Sequence, residues 1–330
     1  MRLLTAELER FRCRPVLGLV AGLLLLASAG FVAMAWSSTT PATAAEISAG
    51  TQDYEAAKVR WSELNAQYVE QCRARQADGQ GGDSDCEPPY DSDDAPGLDS
   101  FLPAPPYFPA EVGNATTGLR LPVLLAAFAM GVSFVTAEFG ARTMGTWLTF
   151  APRRSRVFAT KSAAAALGAL PAAVAALGLA IGGIALVFLV RGAAIEGEGA
   201  WSAPLGDAAH LLPAVLAAAL LGAGLAFAVR HAAAVTGIVV WWALAVEFTL
   251  PQVAPRLAPA TFGLNLRAWF EGSARYAVTE CGPDPDLAGA VGCHDVDRSI
   301  GASQGGLFLL LATVAVLALG AVVFRRRAVT

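Results

Sequence analysis

The stretch LLPAVLAAALLGAGLAFAVRHAAAVTGIVVWWALAVEFTL, residues 211–250, holds two long apolar runs, Leu211–Val229 and Ala232–Leu250, with only Arg230 and His231 between them. A run of about 20 apolar residues spans the roughly 30 Å hydrocarbon core of a bilayer as a helix. One helix over the whole stretch would extend ~60 Å and leave the Arg-His pair near the bilayer centre, where a guanidinium is costly. Two spans joined by a tight corner are the cheaper solution. This reading sets the fold class, because the rest of the chain repeats the pattern.

Working outward, the sixth span is Gly306–Phe324, closed by Arg325, Arg326 and Arg327. Toward the N-terminus lie Pro15–Trp36, Leu119–Ala137 with Pro122 in its opening turn, and Ala163–Val190 with Pro171 inside. The composition agrees: 55% hydrophobic, 15% charged, mean hydropathy +0.52, where a soluble chain carries nearer a quarter charged residues. The sequence therefore predicts an all-α membrane protein with six transmembrane helices. Ala42-Thr43-Ala44 has the small-residue look of a cleavage site. The apolar run before it exceeds the usual 7–15 residues of a signal peptide, and the first span is expected to stay as an anchor.

Charge fixes the expected orientation. With the N-terminus in the cytoplasm, the inside collects Arg2, Arg10, Arg12, Arg14, Arg142, Arg153, Arg154, Arg156, Lys161, Arg230 and Arg325–Arg327, against only Glu7, Glu9 and Glu138. The outside is strongly acidic. Short loops rich in Arg and Lys stay cytoplasmic, so both termini are expected inside, in a multi-pass protein of the plasma membrane. The layout is 1–14 cytoplasmic, 37–118 an extracytoplasmic domain, 138–162 a cytoplasmic loop, 191–210 an outer loop, 251–305 a second outer segment and 325–330 a cytoplasmic tail.

The first outer domain is expected to be mostly helical. Tyr54, Ala57, Trp61, Leu64 and Tyr68 recur at helical spacing within Ala45–Arg75. Asp78–Asp99 reads as a loop, and the Pro-broken segment Phe101–Pro109 as lying along the outer bilayer surface. In the second outer segment Phe262, Leu264, Leu266, Trp269 and Phe270 suit the aromatic interfacial belt. Asn114-Ala115-Thr116 matches a glycosylation acceptor, a pattern common by chance. Four of the five cysteines fall outside, two per segment, and Cys13 inside. The favoured pairing in an oxidising compartment is Cys72–Cys86 and Cys281–Cys293. His294 next to Cys293 matches no zinc spacing, so no metal is expected.

Several function classes lose support. No span has Asp, Glu, Lys or His near its centre; Glu247 lies in the outer part of the fifth, with Glu138 and Lys161 at the inner ends of the second and third. That argues against a proton-coupled carrier and against an intramembrane hydrolase. No phosphate-binding Gly-x-x-x-x-Gly-Lys-Ser/Thr loop exists, so the chain is expected to be no enzyme and to need no cofactor. A net charge of −4 points to no nucleic-acid partner.

The segment Ala137–Lys161 between spans two and three carries most information. Read as a helix to Phe150, it places Gly140, Met144, Trp147, Leu148 and Ala151 on one side, and Arg142, Thr146, Thr149 and Arg153 on another. An interfacial amphipathic helix has that form. Pro152 ends it. A positively charged loop that only sets topology explains the arginines, though not the order Glu138, Gly145-Thr146, Leu148, Pro152, Arg153-Arg154, Arg156 and Lys161.

That order resembles the signature of ABC-2 type transporter permeases, most closely those of actinobacterial type. The sequence likeness is confined to residues 137–161, and the interval from Glu138 to Gly145 is longer than in the family pattern. Six spans, two internal termini and a long first outer segment extend the likeness to topology. The resemblance implies a permease subunit driven by a separate ATPase chain. Glu138, Arg142, Gly145, Thr146, Leu148, Pro152, Arg153, Arg154, Arg156 and Lys161 would form the ATPase-coupling loop. It further implies a homodimer, or a pair with a paralogous permease, whose translocation path is lined by Phe128, Met130 and Phe134 of span two and Trp241, Trp242 and Phe248 of span five. Ordinary helix packing or lipid contact is the plainer reading of each of those aromatics. Short re-entrant helices before span six would fall at Val253–Trp269. The implied cargo is a small hydrophobic or amphipathic compound moved outward. The alternative from the residues alone is a non-transporting sensor or scaffold acting through the 37–118 domain.

Overall fold

A computed structural model describes residues 2–78, 86, 95–141, 153–197, 199–283 and 291–326. Nine helices and one hairpin occupy them, six of the helices long and apolar enough to cross a bilayer. The short amphipathic α1 (Arg2–Arg12) precedes α2 (Pro15–Ser38), which starts on Pro15 because a first-turn proline gives up no hydrogen bond. α3 (Ala44–Ala77) starts on a capping box: Glu46 N–H donates to Thr43 Oγ1 at 3.2 Å, while Glu46 Oε2 accepts from Thr43 N–H at 2.8 Å. Next come α4 (Phe108–Gly140), α5 (Arg154–Arg191) and α6 (Ser202–Val229). α7 (Ala232–Val253) contains a π-helical stretch, Ala243–Phe248. A 3-10 turn, Pro255–Ala260, leads to α8 (Phe262–Glu271). The hairpin of β1 (Ser273–Pro283) and β2 (Val291–Gly301) runs straight into α9 (Ala302–Arg326).

Three expectations need adjustment. The chain is not purely α-helical: Ser273–Pro283 and Val291–Gly301 pair as antiparallel strands, with Cys281 directly opposite Cys293. Alternation puts Ala274, Val278 and Ile300 on their buried face. Second, α4 begins at Phe108 and α6 at Ser202, before the predicted starts at Leu119 and Leu211, so the apolar runs mark only the middle of longer helices. At 1.5 Å per residue α4 reaches ~50 Å and α5 ~57 Å, well beyond a ~30 Å hydrocarbon core. Third, α1 is a helix where sequence showed only a basic tail. Short helical pieces occupy Pro255–Ala260 and Phe262–Glu271, overlapping the interval Val253–Trp269. Both expected disulfides, Cys72–Cys86 and Cys281–Cys293, are present.

The bundle is centred on α4, α5 and α6, with α2 against α4 and α5, and α9 against α6. Small residues let the backbones approach, as membrane helix packing favours. α7 stands apart: 6% of its apolar window is buried, against 50% for α4 and α5. One end of the bundle gathers α1, the C-terminal ends of α4 and α9, the start of α5 and the α6–α7 corner. This is the basic end. At the other end Arg191 stacks on Trp36, and Phe108 packs between Phe188 and Trp201.

Candidate functional site

Glu138 lies in the last turn of α4, and Lys161 in the second turn of α5. Between them runs the segment whose residue order stood out in the sequence. The structure brings these two residues together: Lys161 Nζ is 2.6 Å from Glu138 Oε1 and 2.8 Å from Glu7 Oε2 of α1. Lys161 is 0% exposed, Glu7 1% and Glu138 3%. Arg14 joins the group, with Nη2 3.4 Å from Glu138 Oε1 and Nη1 donating to the Ser133 carbonyl at 3.3 Å. Arg10 lies 3.7 Å from the same Glu138 oxygen. Beneath them the Phe134 ring faces both cations, 4.5 Å from Lys161 Nζ and 5.1 Å from the Arg14 guanidinium, and Phe11 packs against it.

A buried charge is tolerated only when paired and hydrogen-bonded. Here two carboxylates surround one ammonium, and Arg14 and Arg10 offset the second negative charge. The group ties α1, the start of α2, the end of α4 and the start of α5 into one unit. Glu7 and Arg14 escaped the sequence reading because nothing in a short basic tail says which side chains turn inward. A carboxylate on the apolar face of α1, one turn before Phe11, was the available signal.

A second cluster lies beside the first. Phe227 of α6 packs at 5.0 Å on Phe324 of α9, 4.7 Å on Phe158 of α5 and 6.1 Å on Phe139 of α4. Arg230 stacks 5.3 Å above Phe139. Its φ of +66° makes it the one non-glycine residue in the left-handed region among those described, and there the chain turns from α6 into α7. Arg154 Nη1 donates to the carbonyls of Phe324 and Arg325, at 3.2 and 3.3 Å, which caps the end of α9. Thus the end of α4 and the start of α5 are joined by an ion cluster and by an aromatic one.

Of the ten coupling residues expected, Arg142, Gly145, Thr146, Leu148 and Pro152 lie outside the described residues. Arg153 and Arg156 are exposed at the basic end, and Arg154 is half-buried. The six path residues share no face. Met130 and Phe134 are buried in the chain's own core, because that stripe of α4 is turned toward α1, α2 and α5. Phe128 is half-buried, its carbonyl against Gly222 of α6. Trp241 and Phe248 are exposed on α7, with Trp242 at the margin.

Glu247 has a structural job. Its carboxylate accepts from Trp242 Nε1 at 2.9 Å and from the N–H groups of Phe262 and Gly263 at 2.7 and 2.8 Å. The π-helical stretch sets Trp242 and Glu247 five residues apart on one side, and the pair closes the first turn of α8. No group of His, Cys, Asp and Glu suited to a metal exists among the described residues. No protein-family model, curated protein or solved structure matches the chain.

Proposed function

We propose that this chain is the membrane-spanning permease subunit of an ABC exporter, with the basic end in the cytoplasm and ATP hydrolysed by a separate subunit docked there. The observation that carries the reading is the Glu138–Lys161 pair. Two residues of the permease-like signature bracket the loop and meet in a buried ion cluster joined to α1. A force applied to residues 142–152 then enters α4 and α5 together, and passes through Phe139, Phe158 and Phe227 to α6 and α9. A loop that only set topology would need its cations in contact with water and lipid headgroups, not a buried network at its roots.

The rest of the reading follows from placement. The exposed aromatic face of α7 suits contact with a second permease protomer, identical or paralogous, with cargo passing between them. Cargo that is small and hydrophobic or amphipathic fits a lining of Trp and Phe. The hairpin, α3 and both disulfides would then face the exterior, where disulfides persist. The test is affinity purification of the tagged chain from its native membranes in mild detergent. The expected companion is a protein with a phosphate-binding loop and no membrane spans, stoichiometric with the chain. Recovery of the chain alone, with ATP-independent behaviour in vesicles, would favour a sensor acting through residues 37–118.

A further inference from the structure

A cavity of about 650 Å³ opens between α2 and α5, outside the ion cluster and the aromatic cluster. The α2 wall runs from Leu17 to Leu25 and the α5 wall from Leu167 to Ala175, with Met130 of α4 as the floor. It exists because Gly18, Ala21 and Ala172 present little or no side chain where larger residues would close the gap. Its length is about eight residues of helix, ~12 Å. That is close to the depth of one bilayer leaflet, half of a core ~30 Å thick.

At the basic end α1 forms a roof, with Phe11 packed over Gly168 and Arg12 at the mouth. Every other lining residue is apolar. Arg10 and Arg14 are held by Glu138, whereas Arg12 forms no ion pair among the described residues. A slot as deep as a leaflet, apolar along its length and cationic at its interfacial mouth, has the profile of an anionic lipid. Basic pockets between membrane helices hold anionic headgroups through that same charge complementarity.

We propose that this cavity is a binding site for one bilayer phospholipid with an anionic headgroup, its acyl chain between α2 and α5 and its phosphate at Arg12. The lipid fills the slot beneath α1, which the Glu7–Lys161 pair already ties to α5, and adds contacts along α2 and α5. The inference does not rest on the transporter reading, because it concerns the isolated chain with no ATPase present.

The experiment is native mass spectrometry of the full chain in neutral detergent, titrated separately with phosphatidylglycerol and phosphatidylcholine. The wild-type chain is expected to retain one phosphatidylglycerol, at least about fivefold above phosphatidylcholine, the factor that one basic residue contributes toward anionic lipid. Gly18→Leu is expected to lose that lipid while keeping its helical circular dichroism, since a Cβ at Gly18 meets nothing within 4 Å and the longer side chain enters the slot. Arg12→Ala, an exposed change that leaves the core untouched, is expected to equalise the two headgroups. Equal retention of both lipids by the wild type, or undiminished retention by folded Gly18→Leu, overturns the proposal. Displacement of the bound lipid by oleate at equal concentration overturns its assignment to a phospholipid. If Gly18→Leu does not fold, the Arg12→Ala comparison decides alone: an unchanged preference overturns the proposal.

Discussion

Gly131 of α4 and Gly222 of α6 each occupy the point where their own helix meets the other's backbone. A Cβ on Gly131 would run into the carbonyl of Ala219 and stand 3.1 Å from Ala223 N; one on Gly222 would meet the carbonyl of Phe128 and stand 3.1 Å from Val132 N. Helices this close gain dispersion and carbonyl contacts that a larger residue removes. Backbone cannot rotate away as a side chain does.

Gly131→Ala and Gly222→Ala are therefore each expected to destabilise by about 1–3 kcal/mol, the usual range for overpacking. Their effects should be less than additive, because either change forces the same helix pair apart. Gly178→Ala and Gly182→Ala, where a Cβ meets nothing within 4 Å, are the neutral controls. Thermal unfolding in detergent reads the wild type, the four single variants and the Gly131→Ala/Gly222→Ala double variant. Equal midpoints for the two pairs of variants would contradict the packing argument.

Removing Lys161 should do more harm than removing the whole ion group. Lys161→Met leaves Glu7 and Glu138 buried without their shared cation, and breaking a buried pair costs about 3–5 kcal/mol. Replacing Glu7, Glu138 and Lys161 together by apolar residues of similar size should recover most of that loss. The triple variant also separates structure from coupling. On the proposed reading, a purely structural cluster leaves cargo movement intact in it, while a force-transmitting one leaves a stable chain whose partner ATPase hydrolyses ATP without transport.

The hairpin gives a pH prediction. The Glu280 carboxylate accepts from Arg298 at 2.6 Å across the two strands, and that hydrogen bond, reinforced by the arginine's charge, holds its pKa below the ordinary value. A carboxyl depressed by folding contributes stability above its unfolded pKa and loses it as pH falls through the folded one. Arg298 is raised by the same contact and stays charged throughout. Amide protection factors in β1 and β2, which take out the intrinsic pH dependence of exchange, should fall below the normal carboxylate range, and Glu280→Gln should flatten that dependence. Because both groups are exposed, the change is expected to be small.

How much of this was legible in sequence follows from the physics of each element. The six spans were readable because apolar length is the one property a bilayer demands. The extensions of α4 to Phe108 and α5 to Arg154 were not, since helix outside the hydrocarbon core carries ordinary polar residues. The hairpin hid for a different reason. Ala274 and Val278 do alternate inward, but Arg275, Thr279, Asp295 and Asp297 between them look like loop residues. The two cysteines were the stronger signal, and they were read as a local link rather than as a strand register. Glu138 and Lys161 stood out through residue order, while only the fold reveals that Glu7 of α1 joins them.

Topology can be checked with a membrane-impermeant maleimide. Cys13 is the one cysteine outside a disulfide and is exposed. In intact cells it should label only after permeabilisation, as should Ser155→Cys in a Cys13→Ser background. Cys281 and Cys293 should label in intact cells once reduced. Cys13 reacting from outside would invert the orientation and remove the ATPase from the proposal.

Arg153 and Arg154 are adjacent in sequence, yet only Arg154 has side-chain hydrogen bonds to the bundle. Arg154 holds the last carbonyls of α9, so Arg154→Glu sets a carboxylate against carbonyl oxygens and the negative end of the helix dipole. That change should cost about 1–2 kcal/mol whether or not an ATPase exists, from the lost charged hydrogen bonds. Arg153 is exposed and precedes α5 as its N-cap residue, with no side-chain bond to the helix. Arg153→Glu should leave the unfolding midpoint of the isolated chain within experimental error. In the assembled complex the same substitution should weaken ATPase retention and lower transport per ATP hydrolysed. A double reversal of both residues mixes a packing defect with a docking defect. Arg153→Glu is the cleaner probe, and full retention of the ATPase in that variant would place the contact elsewhere on the basic end.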